Sequence, residues 1–229
     1  MNIEILIQSV IFGIFLGALY GLGAVGFSFV FGVMKILNIA HGELLMLGGY
    51  AAFFLLSLYK IDPFLSLPIV GILLFFVGAI FYKVLFVRVI KFGDELRMDT
   101  SLLISFGLIL ILSQMSVLSF TADEVSITTR YSGKGVEIFG MQFPYIRILG
   151  FVVAMITIFG LQIFLHKTYL GKSIRAAAES WESAVAVGVN IHRVYLISFA
   201  LACALAGIAG SIVVVSYSIS PAIGMEWSL

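Results

Sequence analysis

The sequence is poor in charge and has almost no cysteine. Only 11% of its 229 residues are Asp, Glu, Lys or Arg, whereas soluble domains carry about a quarter. The single cysteine, Cys203, lies within an apolar run, which excludes an intrachain disulfide and predicts a small buried thiol. The formal net charge of +1 offers no bulk attraction for nucleic acid. These shortages exclude a disulfide scaffold and a nucleic-acid-binding domain.

Catalytic and metal-binding motifs are also missing from the sequence. It has no HExxH, no GxSxG and no cluster of Cys or His at metal-ligand spacing. Gly171, Lys172 and Ser173 resemble the end of a phosphate loop, but the first glycine of that motif would fall on His166. We therefore expect no metal, no cofactor and no nucleotide site, so any energy from ATP would have to come from another chain.

Apolar residues are abundant and form long runs. They make up 62% of the chain, and the mean hydropathy is +1.17, which predicts an integral membrane protein. A membrane-spanning helix needs about 20 apolar residues, and six runs qualify. The predicted spans lie near 5–33, 36–58, 64–87, 100–121, 146–165 and 194–217. The predicted fold is an all-α bundle of about six transmembrane helices in one domain, residues 1–229.

Small residues recur at four-residue spacing in two of these spans. Such spacing lets two helices approach closely within lipid. The residues are Gly13, Gly17 and Gly21 in the first span and Ala202, Ala206 and Gly210 in the sixth. We expect both sets to lie at helix contacts.

Polar side chains lie at the start of the second span. Asn38, His41 and Glu43 occur there, and ionisable groups inside a membrane are costly, so they tend to mark a solute path or a partner. The alternative is that they cap a helix near the membrane surface, where Glu43 would be favoured by the helix dipole. His41 and Glu43 are two residues apart and cannot share a helix face, which disfavours a proton relay between them.

Residues 171–188 have the pattern of one amphipathic helix between the fifth and sixth spans. Its apolar positions recur at helical spacing, and Gly188 is placed to end it. Most of the apolar residues are alanine, with Trp181 as the one large side chain. A stripe of small residues favours docking into the groove of a soluble partner, although a helix that rests on lipid is the alternative.

Basic residues favour one side of the membrane. With six spans, nine of the 13 Lys and Arg residues fall on the side of the 171–188 helix. The positive-inside rule places this helix in the cytoplasm. The long polar loop 122–145 then lies outside, where its pattern predicts a hairpin turning at residues 132–135.

Two stretches of the chain resemble a known family. Residues 19–53, LYGLGAVGFSFVFGVMKILNIAHGELLMLGGYAAF, are similar to the N-terminal signature of the branched-chain amino acid ABC importer permeases. Residues 170–210, LGKSIRAAAESWESAVAVGVNIHRVYLISFALACALAGIAG, resemble that family's cytoplasmic coupling segment and the span after it. Permeases of this family continue past the equivalent of residue 229 with further Gly-rich spans, so we expect either a truncated form or gene fragment, or remaining spans that come from elsewhere.

This resemblance implies a membrane permease that imports branched-chain or other amino acids, driven by ATP hydrolysis in partner subunits. The implied partners are a paralogous permease, two ABC ATPase subunits and an extracytoplasmic substrate-binding protein, in the cytoplasmic membrane. Trp181 would anchor the coupling helix in the ATPase, and Glu179 and Glu182 would make polar contacts to it. The full set of predicted coupling residues is Arg175, Ala177, Ala178, Glu179, Trp181, Glu182 and Gly188.

Two other functions stay open on the sequence. A self-sufficient secondary transporter would show inverted repeats and broken helices near the middle of the membrane, and the interruption between Lys35 and Glu43 is a weak sign of the latter. An intramembrane enzyme would need a facing nucleophile and base, and His41 is the one base within a span.

Overall fold

A computed structural model describes residues 3–120, 123–129, 131–138, 141–221 and 224. Within these ranges, six helices are long and apolar enough to cross a membrane. The predicted all-α, multi-pass architecture is confirmed.

Four long helices form the first half of the chain. They are α1 (Ile3–Met34), α2 (His41–Tyr59), α3 (Pro63–Phe81) and α4 (Asp94–Phe120), and a π-helical turn, Tyr82–Phe86, extends α3. Lys35 and Lys60 take the left-handed conformation that ends α1 and α2, with φ of 54° and 57°.

The start of the second predicted span is wrong. Residues 36–40 are not helical, and α2 begins at His41. The backbone N–H of Leu37 donates instead to Ser101 Oγ of α4 at 3.1 Å. The Ser101 hydroxyl of α4 therefore satisfies a backbone N–H group that would otherwise bond within a helix.

The loop between α4 and α5 contains a hairpin. Strand β1 (Gly135–Ile138) pairs antiparallel with β2 (Met141–Pro144). A turn is present at residues 131–133, with Gly133 at a positive φ of 79°. It precedes β1, so the prediction that this turn joins the two strands of the hairpin is wrong; their connection, residues 139–140, lies outside the described part of the chain. Val125 pairs with Ile219 in an isolated bridge.

The second half of the chain has two long and two short helices. They are α5 (Tyr145–Lys167), α6 (Tyr169–Glu179), α7 (Trp181–Ala186) and α8 (Ile191–Ser216). The prediction of one continuous helix over residues 171–188 is therefore wrong. The backbone is extended at Ser180, whose hydroxyl accepts the N–H of Ser183 and caps α7.

Helix α8 lies at the centre of the bundle and packs against α1, α2 and α3. Its contact with α2 is made backbone to backbone. A Cβ placed on Gly48 would lie 2.5 Å from the Cα and carbonyl oxygen of Gly207. Only glycine permits this distance, so the α2–α8 crossing depends on it.

Polar contacts tie the elements together at both ends of the bundle. At the end predicted to face outward, the Tyr131 hydroxyl donates to Asp62, whose carboxylate also caps α3 through the Phe64 N–H. Partial burial and the hydrogen bond to Asp62 both raise the pKa of Tyr131 above its ordinary value. The opposite end, which we call the inner end, holds the α1–α2 connection, the start of α4 and the α6–α7 pair.

Candidate functional site

The first site is built on a non-helical run, residues 36–40, and the first residues of α2 that follow it inside the bundle. We call residues 36–43 the polar segment. Gly26 of α1 adjoins the His41 ring, since a Cβ on Gly26 would lie 2.7 Å from Nε2. Gly26 precedes the end of α1 by eight residues (34 − 26), or roughly 12 Å at 1.5 Å per residue. The polar segment therefore turns back into the bundle from the inner end.

The ionisable and amide groups of the polar segment are buried. Glu43 is 0% exposed, Asn38 2% and His41 6%. Among the described residues, the Asn38 amide nitrogen and both Glu43 oxygens have no hydrogen-bond partner, and the His41 ring has the Gly23 backbone as its polar neighbour. Unpaired buried polar groups cost free energy in a membrane protein, and groups that are retained despite this cost often mark a functional site.

His41 and Glu43 face different neighbours. The His41 ring lies edge-on to Phe27, with ring centroids 6.3 Å apart. The Glu43 carboxylate lies against Gly224, where a Cβ would be 2.6 Å from Cδ. The two side chains thus act separately, and both can present hydrogen-bonding groups to a polar solute within the bundle.

The second site is the α6–α7 pair at the inner end. The structure contradicts the prediction that the alanine stripe is free for a partner, because Ala177 is 4% exposed and Ile174 is buried beside it. Their face packs on the chain's own helices, including α1, α5 and α8. Small side chains here allow α6 to approach the membrane helices closely.

The other predicted coupling residues lie on the outward face of this pair. Trp181 is 44% exposed, and Glu179, Glu182 and Arg175 are also exposed. Arg175 is fixed by donating from Nε to Leu165 O at 3.2 Å. Ala178 is half-buried, and Gly188 takes a left-handed φ of 87° two residues after the end of α7.

A groove of about 840 Å³ runs beside Trp181. Its walls come from α7, the start of α8, the loop before α4 and the first turn of α4. The lining includes Phe92, Trp181, Glu182, Val185, Ile191 and His192. This mixture of aromatic, aliphatic and charged groups is typical of a protein-binding surface.

The predicted packing residues have different surroundings. Gly210 is buried against the Leu45 backbone, and Ala206 is also buried in α8. A Cβ on Gly13, Gly17 or Gly21 would meet no heavy atom within 4 Å in the described structure. Helix contact by these three glycines therefore stays a prediction.

Sequence reasoning missed Arg97, which it counted only as a positive charge. The side chain is 5% exposed and bonds three backbone carbonyl groups. The available signal was the spacing of Arg97, Ser101 and Ser105, which places three polar side chains on one face of α4.

Comparisons with known proteins agree with the resemblance. Residues 9–229 match the model of the family described as branched-chain amino acid transport system, permease component. The permease protein BraD of Pseudomonas aeruginosa, from a high-affinity branched-chain amino acid transport system, is 30% identical over 95% of this chain and 74% of its own.

Two further relatives carry similar names. The corresponding permease LivH of Escherichia coli K12 is 27% identical, with the same two coverages of 95% and 74%. The probable permease LivH of Methanocaldococcus jannaschii is 29% identical over 88% of this chain and 64% of its own. No solved structure matches the chain.

Proposed function

The chain belongs to the permease component family of branched-chain amino acid transport systems, and from this membership we propose that it is the membrane subunit of an ABC importer. It is a multi-pass protein of the cytoplasmic membrane. The proposed cargo is a branched-chain or other amino acid. The chain acts as a transporter rather than an enzyme, and ATP hydrolysis in partner subunits drives it.

The observation that carries the proposal is the exposed surface of the α6–α7 pair. Trp181 is large, apolar and 44% exposed at the end of the bundle that is predicted to be cytoplasmic. Val185, 50% exposed, lies one turn away on α7. Exposed aromatic side chains beside a groove are typical anchors for a protein partner, which supports docking of an ATPase here.

The proposed assembly contains a paralogous permease, two ABC ATPase subunits and an extracytoplasmic binding protein. Closure of the ATPases displaces the α6–α7 pair, and the membrane helices rearrange between inward-open and outward-open states. The buried, unpaired groups of Asn38 and Glu43, with the buried His41 ring between them in the chain, support a cargo path beside the polar segment.

Reconstitution in liposomes tests this function. The chain, its permease partner and the candidate ATPases are assembled, the binding protein is added, and uptake of labelled leucine is measured with and without ATP. We expect uptake that requires ATP. Uptake without any ATPase would instead support a secondary transporter.

Two variants of the reconstituted complex test the two sites, with ATPase binding and amino acid uptake as the two measurements. Trp181→Ala is expected to weaken ATPase binding by about thirtyfold, since truncating an anchor residue costs about 2 kcal/mol. Tyr169→Ala, also exposed on the same segment, is the matched control and keeps binding. Glu43→Gln is expected to slow uptake while ATPase binding is unchanged. Wild-type behaviour of both Trp181→Ala and Glu43→Gln would contradict the proposed sites.

A further inference from the structure

Arg97 joins three segments of the chain at the inner end. Its Nη1 donates to the carbonyl oxygen of Met34, the last residue of α1, at 3.3 Å. Its Nη2 donates to the carbonyl oxygens of Ile90 and Phe92, at 3.1 Å and 3.0 Å. One guanidinium on α4 therefore holds the end of α1 and the loop before α4.

The charge of Arg97 suits this position although the side chain is buried. Met34 O lies at the C-terminal end of α1, where the helix dipole favours a cation. Asp94 Oδ1 lies 3.3 Å from Nη1, with its side chain 66% exposed to solvent. The planar guanidinium can donate to several carbonyls at once, which a lysine ammonium on its flexible stem cannot match.

The same face of α4 continues from Arg97 to the polar segment. Ser101 Oγ accepts the N–H of Leu37 at 3.1 Å, and Ser105 Oγ lies 3.0 Å from Leu37 O and 3.4 Å from Asn38 Oδ1. Both serines are buried. The backbone of the polar segment is therefore attached to the helix that Arg97 fixes.

The loop that Arg97 holds also reaches the proposed docking surface. Phe92 is 40% exposed and lines the same groove of about 840 Å³ as Trp181. A partner that fills this groove would contact both residues. The contacts thus form one continuous series from the inner surface, through Arg97 and α4, to Leu37 and Asn38.

We propose that Arg97 is a positioning residue that couples the inner groove to the polar segment. It makes the loop before α4, the end of α1 and the first turns of α4 move as one unit. Displacement of the groove by an ATPase then shifts Leu37 and Asn38. This inference rests on the proposed function and assigns the element that transmits the motion.

The test measures amino acid transported per ATP hydrolysed in the reconstituted complex. Arg97→Met is expected to lower this ratio by about tenfold, within the range that coupling between distant sites spans, while ATP hydrolysis continues. Arg97→Lys keeps the charge and is expected to recover the ratio in part. Arg88→Met, which removes an exposed charge close by, is the control and keeps the wild-type ratio.

A second pair of variants keeps the test decisive if Arg97→Met assembles poorly. Ser105→Ala removes the hydroxyl beside Leu37 and is expected to lower the ratio severalfold. Thr157→Ala removes a hydroxyl that bonds only within α5, to Val153 O at 2.8 Å, and should not change it. A merely structural role would reduce the amount of assembled complex and leave the ratio intact.

The outcomes separate the two proposals. If the wild-type complex shows no ATP-dependent uptake, the proposed function fails. If the wild type transports and both Arg97→Met and Ser105→Ala keep its transport ratio, the coupling role of Arg97 is overturned and the proposed function stands.

Discussion

Single residues decide how closely the central helices of this protein meet. The contact between Gly48 and Gly207 joins two backbones, so no flexible side chain is available to move aside. At Gly26 the neighbour is the His41 ring, which occupies the space that a side chain at Gly26 would need. Glycine in a helix interior lowers stability by up to about 1 kcal/mol relative to alanine. Close packing against another part of the chain offsets that cost only at glycines that have such a neighbour.

Gly48→Ala is expected to destabilise the protein by about 1–3 kcal/mol, the usual range for overpacking a core. The new methyl group would overlap the Gly207 backbone and push α2 away from α8. The measurement is the midpoint of thermal unfolding in detergent.

Gly107→Ala in α4 is the matched control for Gly48→Ala. Its Cβ would have no heavy atom of the described chain within 4 Å, so its midpoint should stay level or rise. Equal midpoints for the two variants would contradict the close α2–α8 crossing.

The break between α6 and α7 divides one amphipathic sequence pattern into a buried face and an exposed face. Before the break, Ile174 and Ala177 pack on the bundle; after it, Trp181 and Val185 are exposed. Ser180 sets the change of direction, since its backbone is extended and its hydroxyl caps α7. A single straight helix would keep all these apolar residues on one face.

Ser180→Ala is expected to impair coupled uptake more than it impairs stability. Loss of the cap costs about 1 kcal/mol and favours a continuous helix that redirects Trp181. Amino acid transported per ATP is the measurement. Ser173→Ala serves as control, because that hydroxyl bonds within α6 to Tyr169 O. Should Ser180→Ala transport as Ser173→Ala does, the break is not needed for coupling.

At the scale of the whole molecule, the contacts separate the chain into two polar ends joined by apolar helices. Arg97, the loop before α4 and the α6–α7 pair share one end, and Asp62, Tyr131 and the β1–β2 hairpin share the other. This arrangement agrees with the distribution of basic residues, and the positive-inside rule assigns the first end to the cytoplasm.

Thiol labelling of intact cells tests this orientation. We expect a membrane-impermeant maleimide to label Lys134→Cys in intact cells and Glu179→Cys only after permeabilisation. Cys203 is 0% exposed, so the parent protein is a silent background. Labelling of Glu179→Cys from outside would reverse the topology and contradict the coupling model.

The sequence by itself determined the class of the protein. Long apolar runs require helices in lipid, because every backbone polar group must find its partner within the segment. Residues 19–53 and 170–210 indicated the family. Local signals also placed the end of α7 near Gly188. These features depend on composition and short-range geometry, which can be read directly from a single sequence.

Only the tertiary structure decided the surroundings of the polar and small residues. Helical spacing predicts one face for Ala177 and Trp181 alike, but the Ser180 break buries the first and exposes the second. Asn38 lies in a non-helical run whose backbone is held by α4, because the neighbouring Leu37 N–H donates to Ser101 Oγ and Leu37 O lies 3.0 Å from Ser105 Oγ, more than 60 residues away. The sequence shows Arg97 only as one more positive charge; the fold brings the distant carbonyl group of Met34 to the guanidinium, beside the nearby carbonyl groups of Ile90 and Phe92. Such roles arise from long-range packing, which local periodicity does not encode.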